Sequence, residues 1–177
     1  SWVIDTSGPD TTINSGPSGI TGDNDPSFGF SSEAGATFEC QLDSEAWASC
    51  ASPKGYTDLA DSPHTFRVRA TDAAGNTGPT AERAFTVDSA APSVSIDTYP
   101  PALTNNNDPS FTFSGEAGTA LACKLDGGAF AACDSPESYT DLADGPHTFT
   151  VRATDQANNS AEAAYTWTID TTPPGTT

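Results

Sequence analysis

LADSPHTFRVRATDAAGN, Leu59 to Asn76, returns as LADGPHTFTVRATDQANN, Leu142 to Asn159, with every aligned position displaced by 83 residues. A period of that length in a chain of 177 residues means one module used twice. Within the stretch, His64, Phe66, Val68 and Ala70 fall on one face and Thr65, Arg67, Arg69 and Thr71 on the other. Alternation of period two through β-branched and aromatic residues predicts a half-buried strand. A turn precedes it, Ala60-Asp61-Ser62-Pro63, answered by Ala143-Asp144-Gly145-Pro146 in the second copy. The polar loop Asp72-Ala73-Ala74-Gly75-Asn76 follows, then the apolar run Ala84-Phe85-Thr86-Val87. Strand, loop and returning strand suit the last hairpin of a β-sandwich.

The rest of the chain fits that frame. A linker of one design recurs as DTSGP at Asp5–Pro9, DSAAP at Asp88–Pro92 and DTTPP at Asp170–Pro174. Thr11–Asn14 and Ser93–Ile96 read as short first strands. Phe28 with Phe30, and Phe111 with Phe113, point to the core from strands that open on Pro26 and Pro109, where proline removes no ladder bond. Phe38, Cys40 and Leu42 alternate inward on a third strand, and Tyr56 to Leu59 reads as a further short one. From Thr21 to Thr77, 36 of 57 positions match their partner 83 residues on, so the copies should share one fold. The expectation is an all-β chain of two tandem sandwiches, Ig-like or fibronectin-III-like, with about seven strands each. The boundaries read as 1–5 for the tail strand of a preceding repeat, 6–88 for repeat 1, 89–170 for repeat 2, and 171–177 for the start of a next linker.

A leucine, a tight turn, an alternating strand and a TDxAGN-like loop resemble the end of bacterial immunoglobulin-like tandem repeats, which occur in large surface adhesins. Both copies match in the strand. The second departs in the loop, where Asn158 replaces Gly75; asparagine tolerates a left-handed backbone better than most residues. The resemblance implies a non-catalytic spacer in a long secreted or cell-surface protein, with neighbouring repeats of the same chain as its partners.

Composition narrows the function. There are 24 acidic residues against 6 basic ones, a formal net charge of −18. That disfavours nucleic acid and anionic membrane and favours cations. No apolar run is long enough to insert in a membrane as a helix. Each repeat of about 80 residues has a marginal core, so a covalent or ionic staple would help.

The four cysteines fall two per repeat, Cys40 with Cys50 and Cys123 with Cys133. A three-residue hairpin loop, Ser44 to Ala46, would set Asp43 against Trp47 and Cys40 directly opposite Cys50. The same register would set Cys123 opposite Cys133. Facing residues of a hairpin approach disulfide distance, so two intradomain bridges are expected, and with them an extracellular, oxidising location.

In an Ig-like sandwich the loop after the sixth strand lies where the chain enters, and the loops after the first and fifth strands lie where it leaves. Oxygen-rich residues from successive repeats would then meet at the junctions, and calcium suits such ligands. The resemblance implies the same, since related adhesin repeats are stiffened this way. The expected calcium ligands are Asp5, Asp72 and Asn76 at the first junction, Asp25, Asp88, Asp155 and Asn159 at the second, and Asp108 and Asp170 at the last. Asn106 stands where repeat 1 has Asp23, so a second carboxylate beside Asp25 has no counterpart beside Asp108. The competing reading is that Asp and Asn in turns bond their own backbone.

Catalytic signatures are missing. His64 and His147 are the only histidines and share one strand position, which reads as a satisfied residue at the core's edge. There is no G-x-S-x-G, HExxH or phosphate-cradling glycine loop. Two rival roles remain: an accessory or carbohydrate-binding module of a polysaccharide-degrading enzyme, which needs an exposed aromatic strip, and a filament subunit that pairs Trp2 to Asp5 with a neighbouring chain. The expectation for the segment itself is a monomer.

Overall fold

The computed structural model describes residues 4–175, and within them the regular structure is all strand. The chain divides into two compact units, Ser1–Ala90 and Ala91–Thr177. Of the expected tail strand, residues 1–3 lie outside the described part, and Ile4 and Asp5 are not in a strand.

Unit 1 holds β1 (Thr12–Ser15), β2 (Gly19–Thr21), β3 (Ser27–Ser31), β4 (Thr37–Leu42), β5 (Ala48–Cys50), β6 (Lys54–Gly55), β7 (Pro63–Thr71) and β8 (Ala81–Val87). A three-stranded sheet, β1-β3-β6, faces a five-stranded one, β2-β8-β7-β4-β5. Unit 2 repeats this with β9 (Val94–Thr98), β10 (Leu103–Thr104), β11 (Ser110–Gly115), β12 (Ala120–Leu125), β13 (Ala131–Ala132), β14 (Glu137–Ser138), β15 (Gly145–Thr154) and β16 (Ser160–Ile169). Its sheets are β9-β11-β14 and β10-β16-β15-β12-β13.

Each unit therefore has eight strands, where the sequence suggests about seven. The extra one arises because the first strand changes sheets. β1 pairs antiparallel with β3, Gly16-Pro17 breaks it, and β2 then pairs parallel with β8. In unit 2, Pro100-Pro101 makes the same break. The expected strand at Tyr56–Leu59 is displaced to Lys54–Gly55, which pairs with Ser27 and Phe28. Beyond it, Tyr56 N–H donates to Pro26 O and Leu59 N–H to Asn24 O, so the segment tracks its neighbour without forming a ladder.

The inward faces are those the alternation predicts. His64, Phe66, Val68 and Ala70 are all buried, and the intervening residues are not. Phe28 stacks on Phe66 with centroids 4.2 Å apart, and Phe111 on Phe149 at 4.3 Å. Burying such a ring contributes roughly 1.5–3 kcal/mol, so these four phenylalanines supply a large share of the apolar stabilisation in two small cores. The units differ at their last strand. Repeat 1 carries Gly78-Pro79-Thr80 where repeat 2 has one residue fewer, and Pro79 has no N–H for a ladder. β8 consequently starts at Ala81, after an isolated Thr71–Thr77 bridge, whereas β16 pairs with β15 without interruption from Ser160.

Both disulfides form: Cys40–Cys50 with Cα atoms 5.8 Å apart, and Cys123–Cys133 at 5.7 Å. The expected register is corrected. Cys40 lies opposite Ala48, and Cys50 opposite Phe38, so the bridge runs diagonally across the hairpin. Cys123 opposes Ala131 in the same way. The slip has a local cause. Asp43 takes a left-handed backbone, φ 53°, and Glu45 N–H donates to Leu42 O, which tightens the turn. Asp43 N–H is drawn to Thr65 O on β7 and does not face Trp47. Asp126, at φ 52°, repeats this with Thr148 O.

Candidate functional site

The residues that set the repeats apart from a plain sandwich are the acids at the two ends of each unit. At the entry end, Asp72 closes the loop after β7. Its Oδ1 accepts from Asn76 N at 2.8 Å and its Oδ2 from Asn76 Nδ2 at 2.9 Å. These bonds, the side-chain one first, hold the Asp72 carboxyl below the usual range. Asp155 and Asn159 close the second loop identically, at 2.8 and 3.0 Å. The loop's left-handed residue is Gly75 (φ 92°) in one copy and Asn158 (φ 68°) in the other, as the substitution predicts. Asn76 Nδ2 also donates to Asp5 O at 3.1 Å, tying the entering chain to this loop.

At the exit end, Asp25 Oδ1 accepts from Asp58 N at 2.8 Å, and Asp108 Oδ1 from Asp141 N at 2.9 Å. Asp58 and Asp141 have φ of 54° and 55°, and these bonds hold them there. Asp23 Oδ1 caps Asp25 N, and Asn106 Oδ1 caps Asp108 N, both at 2.9 Å. The lost carboxylate at Asn106 thus leaves the cap in place, because an amide oxygen is also an acceptor. Asp61 Oδ1 accepts from both Ser89 N (2.9 Å) and Ser89 Oγ (2.8 Å) of the exit linker. Asp144 holds Thr171 in the same way, at 3.0 and 2.8 Å. Asp88 N–H donates to Thr21 O and Asp170 N–H to Thr104 O, both at 2.9 Å. Asp170 Oδ1 accepts from Thr172 N and Oγ1, and these bonds lower its carboxyl as well.

The seven Asp residues among the expected calcium ligands accept backbone N–H groups, and Asn76 and Asn159 are the donors to Asp72 and Asp155. Asp5, Asp72 and Asn76 do come together, but Asn76 meets the oxygens with N–H groups. A hard cation takes roughly six to eight oxygens, so calcium at this end would compete with these hydrogen bonds. Asp25 and Asp88 belong to unit 1, Asp155 and Asn159 to unit 2. Among the described residues, no group of three or more His, Cys, Asp and Glu is gathered closely enough to hold a metal ion.

The histidines carry what the sequence did not disclose. His64 Nδ1 lies 2.8 Å from Asp43 Oδ2, and Nε2 lies 2.9 Å from Ala60 O and 3.1 Å from Ser62 Oγ. By distance alone this is a Ser–His–Asp relay. The Ala60 carbonyl gives the ring a different task in this arrangement. It can only accept, so Nε2 donates to it and, while doing so, is not set to draw a proton from Ser62. Repeat 2 keeps the pair, His147 Nδ1 to Asp126 Oδ2 at 2.9 Å and Nε2 to Ala143 O at 2.8 Å, with Gly145 in place of the serine. Both rings face acceptors on both sides, which suits the imidazolium. Burial pulls His64 down, but the Ala60 carbonyl and Asp43 outweigh it and raise the ring above its ordinary value. His147 is raised by the Ala143 carbonyl and Asp126, against a smaller pull from burial.

Two further anchors were hidden for the same reason, distance in sequence. Arg83 reaches from β8 to Gly16 O and Ile13 O, both at 3.0 Å, and so pins the break between β1 and β2. Tyr165 takes over in repeat 2 with one bond, Oη to Pro100 O at 2.9 Å. Trp47 and Phe130 lie half-buried under Arg69 and Arg152, at 4.3 and 4.1 Å. Tyr99 is the exposed aromatic among the described residues and stacks on Tyr165, so an extended aromatic strip does not form there.

The bacterial Ig-like domain matches this sequence twice, over residues 3–89 and 97–171. The chain belongs to that family. No curated protein sequence matches it. Among solved structures it resembles the fibronectin(III)-like modules of Clostridium thermocellum CbhA, with a TM-score of 0.55 and 16% identity over 90% of this chain and 94% of that one. At that identity the likeness concerns the fold. A bacterial ice-binding adhesin aligns with a TM-score of 0.42 and 12% identity, over 93% of this chain and 65% of that one. A tetra-tandem repeat from the extending region of a large adhesion protein aligns at 0.34 and 18%, over 93% and 50%.

Proposed function

We propose that these bacterial Ig-like domains are a non-catalytic spacer of a long secreted or cell-surface adhesin. The observation that carries this is the exit cap. Asp61 on Ser89 and Asp144 on Thr171 hold the first linker residues by the same two bonds in both copies. A linker whose backbone and side chain are both bonded at its start, and which continues with proline, loses freedom relative to a polar tether. A spacer requires that property at every joint. The disulfides support an oxidising, extracellular setting, since thiols stay reduced in most cytosols. Calcium is proposed only as a brace on ends already closed by hydrogen bonds.

Small-angle scattering and thermal melting of this chain, in calcium and after chelation, test the reading. A spacer gives an extended particle of narrow length distribution in both conditions. A broad distribution typical of a flexible tether would overturn the spacer reading. If the melting temperature and the length stay unmoved by chelation, the calcium brace fails and the spacer reading stands on its linkers.

A further inference from the structure

Each histidine ring is bonded one residue away from the group that holds the exit linker. His64 Nε2 donates to Ala60 O, and the next residue, Asp61, grips Ser89. His147 Nε2 donates to Ala143 O, and Asp144 grips Thr171. The other ring nitrogen anchors this turn to the β4–β5 or β12–β13 turn. There Asp43 Oδ1 accepts from Thr65 N, and Asp126 Oδ1 from Thr148 N, both at 2.7 Å. We infer that the two histidines are proton-dependent clamps whose release frees the turn, and with it the linker grip, at the exit of each repeat.

The surroundings of each ring are few and of one sign. The charged group facing His64 is Asp43 from the β4–β5 turn. Arg67 Nη1 stands one step behind it, on Asp43 O at 2.8 Å. The 60–62 turn presents Ala60 O and Ser62 Oγ, and β8 presents the Phe85 ring. His147 faces Asp126, Ala143 O and the Trp167 ring. A neutral imidazole has one N–H. Losing the second proton leaves a lone pair against either a carboxylate or a carbonyl, so one side of the clamp must open. Because the fold raises both rings, the clamp is fully made below the unfolded value and is lost as pH rises through the folded one. The device therefore tightens in mild acid and slackens toward alkaline pH. It bears on the linker order that the spacer reading uses, but it stands on contacts inside each repeat.

The chain has only two histidines, so a ring titration by NMR is free of overlap. The experiment follows both imidazoles together with amide exchange at Ser89 and Thr171, corrected for intrinsic rates, across neutral pH. The expected result is that both rings titrate above the ordinary histidine range. Protection at Ser89 falls with the midpoint of His64, and protection at Thr171 with that of His147. His64→Gln should abolish the pH dependence at Ser89 and leave Thr171 unchanged, so repeat 2 serves as the internal control. Rings that titrate at or below the ordinary value would overturn the proposal. So would rings that titrate high while both amides stay protected at every pH. Neither outcome touches the scattering result, so the two readings fail separately.

Discussion

Removing the bridge of repeat 2 by Cys123→Ala with Cys133→Ala isolates what a diagonal hairpin disulfide contributes. The bridge spans a sequence separation of 10. A loop of that size restricts the unfolded chain by about 2.7 kcal/mol in the chain-entropy description, near the middle of the usual range for natural bridges. Cys123 is 5% exposed, so alanine there also gives up some packing, and the total loss exceeds that figure. For a repeat of about 80 residues that loss corresponds to roughly 10–20 °C in Tm. Urea unfolding followed by Trp167 fluorescence is the assay, because that indole is 1% exposed in the core of repeat 2. Wild-type protein treated with a reductant opens both bridges, and its repeat 2 transition should move in the same direction. If the bridge acts on the unfolded state, the urea m-value rises as stability falls, since an unlinked chain exposes more surface. A loss under about 1 kcal/mol with an unchanged m-value would refute this account and make the bridge a consequence of the hairpin.

Three other outcomes follow from particular contacts. A methyl group at Gly78 would collide with Pro9 O, so Gly78→Ala should push the entering segment off the loop before β8 and cost about 1–3 kcal/mol, read by urea unfolding of repeat 1; a change under about 0.5 kcal/mol would show that segment to be undocked. Arg83→Met removes two charged bonds from the β1–β2 break and should cost repeat 1 about 1.5–3 kcal/mol, whereas Tyr165→Phe should cost repeat 2 only about 0.5–1.5, and equal losses would count against the anchoring role. The Asp72 carboxyl, held low by Asn76, contributes stability that is present above its unfolded value near 3.8 and is lost as pH falls through the folded value; a carboxyl carbon titration of Asp72 at the ordinary position would contradict it.

The fold was legible because its signals are periodic. Alternation through His64, Phe66, Val68 and Ala70 names the buried face of β7 outright, and the repeat carries it to Phe149, Val151 and Ala153 of β15, where Thr150 is buried as well and His147 is only half-buried. The cysteine pairing was legible too, since each repeat has two. Their register was not. It depends on Asp43 turning left-handed and bonding β7 across 22 residues, and a hairpin considered alone contains no trace of that bond. The strand change between β1 and β2 escaped for the opposite reason. Gly16-Pro17 marks a break in the sequence, but only the parallel pairing with β8 reveals the second half as a strand. Acidic residues at both ends were legible as positions and ambiguous as chemistry. Asp before proline or in a turn has the same appearance whether it awaits a cation or caps an N–H.

The differences between the two copies separate what the fold requires from what it happens to contain. Asp23 becomes Asn106, and the cap on the next Asp survives because an oxygen remains in place. Arg83 becomes Tyr165, with different length, charge and bond count, and both reach a carbonyl at the strand break. Ser62 becomes Gly145 while the histidine keeps both of its acceptors. In the first two cases the bond persists through a change of residue, so the bond is the structural requirement. The serine changes with no such compensation, so its contact with His64 is incidental to the clamp. Asp43 and His64 recur unaltered as Asp126 and His147, and with them recur the left-handed turn, the cap on β7 or β15 and the second bond toward the turn that grips the linker.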